Sequence, residues 1–156
     1  MYSADLDPYA YYTSQPFPGV RTVGWLHSSN PFTIGRTSTA IVEKLREIMR
    51  GGPDVNVHVN QIRGVHPCNI CGAKRFADSD DELLVGSTEI WLPDGTGGYF
   101  ASPSLIIHYV TEHNYLPPRE FSQSIETFDF KRPFDAQAEY ERLCVEIKPE
   151  NFKSMH

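Results

Sequence analysis

The sequence predicts an α+β fold, in which a small antiparallel sheet or hairpin is accompanied by three to four helices. Three observations predict it. The run "VNVHVN" alternates Val55, Val57 and Val59 with Asn56, His58 and Asn60, the period of a strand with one buried face. The run "TAIVEKLREIMR" sets Ile41, Val42, Leu45, Ile48 and Met49 at helical spacing. The glycine-rich stretch "DGTGG", Asp94 to Gly98, joins two apolar runs in the manner of a hairpin.

Taken in order, the chain begins with residues 1–19, which carry Tyr2, Tyr9, Tyr11 and Tyr12 together with Pro8, Pro16 and Pro18 without sustained periodicity. This reads as an extended arm, packed on the body, held by a partner or disordered, ahead of a single domain over residues 20–156. "VRTVGWL", Val20 to Leu26, has the β-branched and aromatic content of a short strand, and "HSSNP" ends it. The helix over residues 39–50 has Thr37, Ser38 and Thr39 as candidate N-caps, with Gly51 and Gly52 as its stop and Pro53 preventing continuation. In "VNVHVN", His58 falls on the polar face and reads as a surface histidine. "ADSDDE", 77–82, is an acidic loop, and "LLVGSTEIWLP" gives one or two strands ending at Pro93. Ser102 and Pro103 then have the form of an N-cap with proline at the first helical position, and Leu105, Ile106, Tyr109 and Val110 form the apolar face of the helix they would open. Asn114 closes that helix, and Pro117 and Pro118 prevent its resumption. A shorter helix from Pro118 uses Phe121, Ile125 and Phe128, and "AQAEYERLCVEI" makes a last helix on Tyr140, Leu143, Cys144 and Ile147. Cys144 there reads as a small buried apolar group.

Composition bounds the function. With 156 residues, 40% hydrophobic and 22% charged, the chain has the size and content of one globular domain that needs no disulfide support. A net charge of −6 works against a broad footprint on nucleic acid, which needs a basic face to release phosphate counterions. No apolar run approaches the roughly 18 residues of a membrane span. The start "MYSADLDPYAYYTSQ" lacks the basic flank and apolar core of an export signal, so the expected location is the cytoplasm. Three cysteines, two of them clustered, fit a reducing compartment and a metal site better than a disulfide framework.

The clustered pair carries the chemistry. Cys68 and Cys71 in "HPCNICGA" combine with His108 and His113 in the pattern C-x2-C … H-x4-H. Two thiolates and two imidazoles are what tetrahedral zinc prefers, and a two-residue knuckle lets both sulfurs face one point. Gly72 supports the knuckle, because the backbone that follows often needs a positive φ. Positions five apart on an ideal helix diverge by roughly 140°, so the helix has to loosen near Glu112 if both rings are to converge. The competing arrangement is two core histidines beside two unligated thiols. His66 is the replacement ligand if His113 turns away. With four protein ligands the ion is closed to water, which makes the predicted zinc structural. The zinc-finger-like unit spans about residues 63–116.

Other chemistries fit less well. A redox Cys-x-x-Cys sits at a helix N-terminus, whereas "GAKRFADSDDE" is no convincing helix. "HYVTEH" is H-x-x-x-E-H, one residue longer than the inverted zincin pattern. Glu89 in "STEIW" falls on a strand, as an exposed or salt-bridged residue or as a carboxylate orienting a ligand histidine, with Arg63 as its candidate ion-pair partner. "DGTGG" lacks the order of a dinucleotide fingerprint.

The stretches "VGWL", "RGVHPCNIC", "GSTEIWLP" and "YFASPSLIIHYVTEHNYLPPREF" together resemble an uncharacterised family of small bacterial proteins, over roughly residues 20–126. The resemblance implies a bacterial cytosolic protein with a metal site at Cys68, Cys71, His108 and His113, and no established activity. Two function classes follow. The first is a non-enzymatic, zinc-stabilised interaction module, inhibitor or immunity-like in role, that turns its acidic surface to a basic protein partner. The alternative is a zinc-dependent hydrolase with Glu112 or Glu89 as general base. A nucleic-acid finger ranks third, since Lys74, Arg75 and Arg119 are few and Asp78, Asp80, Asp81 and Glu82 follow the knuckle closely.

Overall fold

The predicted hairpin is the centre of the molecule. Strands β4 (Glu89–Pro93) and β5 (Tyr99–Pro103) pair antiparallel in full register, Glu89 opposite Pro103 and Pro93 opposite Tyr99. Asp94 shapes the turn. Its Oδ1 accepts from the N–H and hydroxyl of Thr96 and from Gly98 N–H at 2.8–3.1 Å, while its own N–H donates to Gly98 O. Burial works to raise the Asp94 pKa, but these donors and Arg21 outweigh it and hold the carboxyl below its usual value. The computed structural model describes residues 1–11, 13–76, 83–147 and 150, so Tyr12 and the acidic loop expected at 77–82 lie outside the described residues.

Two further strands complete a four-stranded sheet in the order β1-β5-β4-β3. Strand β1 (Val20–Thr22) runs parallel to β5, and β3 (His58–Val59) antiparallel to β4. The sheet is therefore mixed, where the sequence suggested an antiparallel one. Strand β2 (Val55–Asn56) leaves this sheet and pairs in parallel with β6 (Phe134–Asp135). The alternating valine run thus divides between two sheets, although Val55, Val57 and Val59 are all buried as the alternation requires.

Helix α1 (Thr39–Arg50) matches its predicted span. Ser38 is the cap, its Oγ accepting from Ile41 N–H, and Gly51 at φ +73° ends it. Helix α2 (Ile106–Glu112) starts later than expected, because Ser102 and Pro103 belong to β5, opposite Ile90 and Glu89. Their cap-like order loses to pairing with β4. Helix α3 (Arg119–Thr127) begins after Pro118, and α4 (Ala136–Cys144) is capped by Asp135, whose Oδ1 accepts from Gln137 and Ala138 N–H. Cys144 ends α4 half-buried against the aromatic side of the molecule.

The sheet separates two cores. On one face Ile90, Leu92 and Phe100 meet Leu45, Ile48 and Met49 of α1, Ile106 and Ile107 of α2, and Phe121 and Ile125 of α3. On the other, Trp91 and Ala101 meet Val59, Ala136, Leu143 and Ile147 together with Tyr9 and Phe17 of the N-terminal arm. Cover on both faces explains why "EIWLP" reads as a continuous apolar run rather than an alternation. The arm itself lies along β1. Tyr9 N–H donates to Val20 O, Thr22 N–H to Asp7 O, and Pro8 bridges Arg21 antiparallel.

Two polar expectations are corrected. His58 is half-buried rather than a surface residue: Nε2–H donates to Met49 O at 2.6 Å, which leaves Nδ1 to accept from the Thr88 hydroxyl at 2.7 Å. Burial, partly opposed by the Met49 carbonyl, lowers its pKa. Glu89 is neither exposed nor salt-bridged; it is 4% exposed and bonded to neutral donors.

Gly98 gives a local test of the hairpin's docking. A Cβ there would lie 2.3 Å from Gly19 O, a backbone atom that cannot step aside while Tyr99 N–H donates to it. Gly98→Ala is expected to cost about 1–3 kcal/mol, the usual range for overpacking. The urea midpoint measures it.

Candidate metal centre

The knuckle is a closed turn. Gly72 N–H donates to Cys68 O at 2.7 Å and Cys68 N–H to Ala73 O at 2.9 Å, with Gly72 at φ +76° as the sequence anticipated. Cys68 is fully buried in the main core, whereas Cys71 is exposed. Asn69 ties the turn to the body, its Oδ1 accepting from Ser28 N–H and its Nδ2 donating to Leu26 O, both at 3.1 Å. That clamp has no signature in the sequence, where "HSSNP" reads only as a turn.

The histidines come from the end of α2. His108 is buried, its ring edge-on to Phe76 with centroids 4.8 Å apart. The helix stops at Glu112, and His113 has φ −118° and ψ 7°. This is the loosening that a five-residue separation demands. Asn114 at φ +51° then reverses the chain, and Tyr115 N–H donates to the same Tyr109 O that receives His113 N–H. Backbone bonds from Gly35 N–H to Asn114 O and from Leu116 N–H to Thr33 O hold the segment that follows. Tyr115 also donates its hydroxyl to Asp5 Oδ2, while Asp5 Oδ1 accepts from Gly24 N–H, so the N-terminal arm reaches the segment that follows His113. Burial first, and then the Asp5 charge, push the Tyr115 hydroxyl pKa upward and keep it a donor.

Cys68, Cys71, His108 and His113 converge. Their ligand atoms all lie within 4.8 Å of one another, close enough to hold a metal ion. Cys68 Sγ is 3.5 Å from His113 Nε2, Cys71 Sγ is 3.5 Å from His108 Nε2, and the two Nε2 atoms are 3.2 Å apart. Bond lengths of about 2.3 Å to sulfur and 2.0–2.1 Å to nitrogen give a tetrahedron edges of about 3.5 Å between sulfur and nitrogen and about 3.3 Å between nitrogens. The donor set and spacing therefore fit a four-coordinate ion. Burial, assisted by the neighbouring Cys71 thiol, pushes the Cys68 thiol pKa up against backbone donors at Cys71 and Ile70. A bound cation reverses that logic, since a coordinating thiol is held as thiolate.

The remaining candidates fall elsewhere. His66 is exposed and outside the cluster, so the replacement-ligand arrangement is not formed. Glu112 is exposed at the end of α2 and is not among the converging groups. Glu89 gives Oε1 to the Tyr9 hydroxyl at 2.5 Å and Trp91 Nε1–H at 3.4 Å, and Oε2 to Asn60 Nδ2 at 3.2 Å. It orients no ligand histidine, and the expected pairing with Arg63 is absent, Arg63 being exposed. Lys74, Arg75 and Arg119 are exposed as well. No helix is long and apolar enough to cross a membrane among the described residues.

Among known families, a sequence model matches residues 1–126 of the chain. The chain belongs to the domain of unknown function family DUF7919. That span contains all four converging residues and starts at the arm, not at residue 20 where the motif resemblance began. It ends before β6 and α4. No curated protein and no solved structure matches the chain.

Proposed function

We propose that this chain is a zinc-stabilised protein-interaction module, an inhibitor or immunity-like protein, in which Cys68, Cys71, His108 and His113 ligate one structural zinc ion. The observation that carries the reading is the convergence of two sulfurs and two imidazole nitrogens at tetrahedral spacing. Thiolate and imidazole together favour zinc over calcium or magnesium, which prefer oxygen ligands. Four protein donors leave no position for an exchangeable water, so the ion braces the structure instead of activating a nucleophile. The knuckle at Cys68 and Cys71 and the helix α2 from Ile106 are separate segments of the chain, and an ion between them ties the loop over residues 63–76 to the main core. A net charge of −6 suits a basic protein partner, with association that weakens as salt rises. The reading assigns the chain to a reducing compartment such as the cytoplasm, where its three free cysteines stay reduced.

Chelator titration tests the structural role. The expected result is release of one equivalent of zinc, with collapse of the near-ultraviolet dichroism and of the cooperative melt, and recovery on readdition of zinc. Metal release that leaves the fold intact but removes a hydrolytic rate would instead support the hydrolase reading.

A further inference from the structure

Away from the metal centre, the structure holds a buried carboxylate with no countercharge. Glu89 lies on the aromatic side of the sheet, and its partners Tyr9, Trp91 and Asn60 are all neutral. Among the described residues no cation pairs with it. A small cleft of about 40 Å³ opens beside it, lined by Tyr11, Trp25, Asn60, Ser87 and Glu89 among others. This volume holds two or three water-sized groups. The polar atoms around it are biased toward acceptance. A carboxylate offers about four lone-pair directions, of which three are occupied at Glu89. Asn60 donates a side-chain N–H to Glu89, and its amide carries an acceptor oxygen as well. Trp25 and Tyr11 add aromatic faces, their ring centroids 5.2 Å apart and tilted by 31°. Acceptor oxygens, a carboxyl that an arriving cation would hold ionised, and aromatic rings together suit a small cation that carries N–H donors.

We propose that this cleft binds a primary ammonium group, presented by a small free alkylamine or by a lysine side chain of a protein partner. The site excludes the other cations on chemistry and size. A divalent metal needs several oxyanions and finds one carboxylate. A guanidinium exceeds the cleft, and a quaternary ammonium brings no N–H for Glu89 or Asn60. The cleft stands apart from the four converging donors, so the inference is independent of the zinc reading.

The test uses the full chain with its metal content unchanged. Methylammonium chloride, N-acetyl-lysine amide and tetramethylammonium chloride are titrated at constant ionic strength while nuclear magnetic resonance follows the two tryptophan indole N–H signals. Trp91 Nε1–H donates to Glu89, so its signal reports directly on the site. The expected result is a saturable shift with methylammonium and none with tetramethylammonium. Saturation by methylammonium alone supports a free amine as ligand; saturation by the lysine derivative as well supports a partner's side chain. Glu89→Gln, which keeps the shape and removes the charge, is expected to weaken binding roughly tenfold or more. Ser87→Leu narrows the cleft with the carboxylate intact and is expected to weaken it too, which covers the case of a poorly folded Glu89 variant. Equal, unsaturable shifts with all three salts would overturn the proposal.

Discussion

Cys71→Ser is expected to abolish metal retention and to remove most of the cooperative unfolding transition. The side chain is exposed, so it contributes nothing to core packing. A surface substitution without a special role changes stability by no more than about 0.5 kcal/mol. A zinc ligand behaves differently, because no preformed site exists in the unfolded chain and binding free energy becomes folding free energy. Structural zinc in finger peptides contributes about 10–16 kcal/mol at neutral pH, comparable to the roughly 5–15 kcal/mol total stability of a typical domain. Urea denaturation with parallel metal analysis separates the two cases. Cys144→Ser is the control: this third thiol sits half-buried at the end of α4, outside the cluster, and its loss should leave the metal in place. Equal, small effects from both substitutions would mean that Cys71 ligates nothing.

Deletion of residues 1–19 is the second change with a large expected effect. Tyr9 and Phe17 are fully or almost fully buried against Trp91, with ring centroids 5.4 and 6.1 Å from it. Each aromatic ring buries about 150–250 Å², so at about 25 cal/mol per Å² their joint removal costs several kcal/mol even after allowance for a compact unfolded state. The deletion also takes the Tyr9 hydroxyl from Glu89 and Asp5 from Tyr115. Burial already raises the Glu89 pKa against its three donors, and losing the shortest of them leaves the carboxylate poorly compensated. Tyr9→Phe isolates that last effect: the ring stays, and the expected loss is about 1–3 kcal/mol for an unmet buried acceptor. A truncated chain with an unchanged denaturation midpoint would show the arm to be dispensable.

What could be read from the sequence follows from how local each determinant is. Helix α1 was fully legible because its cap, its apolar stripe and its glycine stop all act within the span they define. The convergence of Cys68, Cys71, His108 and His113 was legible for a different reason: cysteine and histidine types are rare enough that their spacing carries information, and the break after Glu112 follows from helical geometry alone. Ser102 and Pro103 misled because the same two residues suit an N-cap or the end of a strand, and only pairing with Ile90 and Glu89 decides between them. His58 and Glu89 misled because alternation reports which side of a strand a residue occupies, not whether that side is covered. Here the end of α1 meets the His58 ring through Met49 O, and the arm, far from β4 in sequence, covers Glu89 through Tyr9. The proline-rich arm has no periodicity to reveal burial, since its contacts are single aromatic rings placed by backbone bonds to β1.

Zinc K-edge X-ray absorption on the purified chain tests the central claim most directly. The account predicts one zinc per chain, with two sulfur neighbours at about 2.3 Å, two imidazole nitrogens at about 2.0–2.1 Å and no bound water. A chain that purifies without metal and takes up none, or an ion surrounded by oxygen and nitrogen alone, would contradict it.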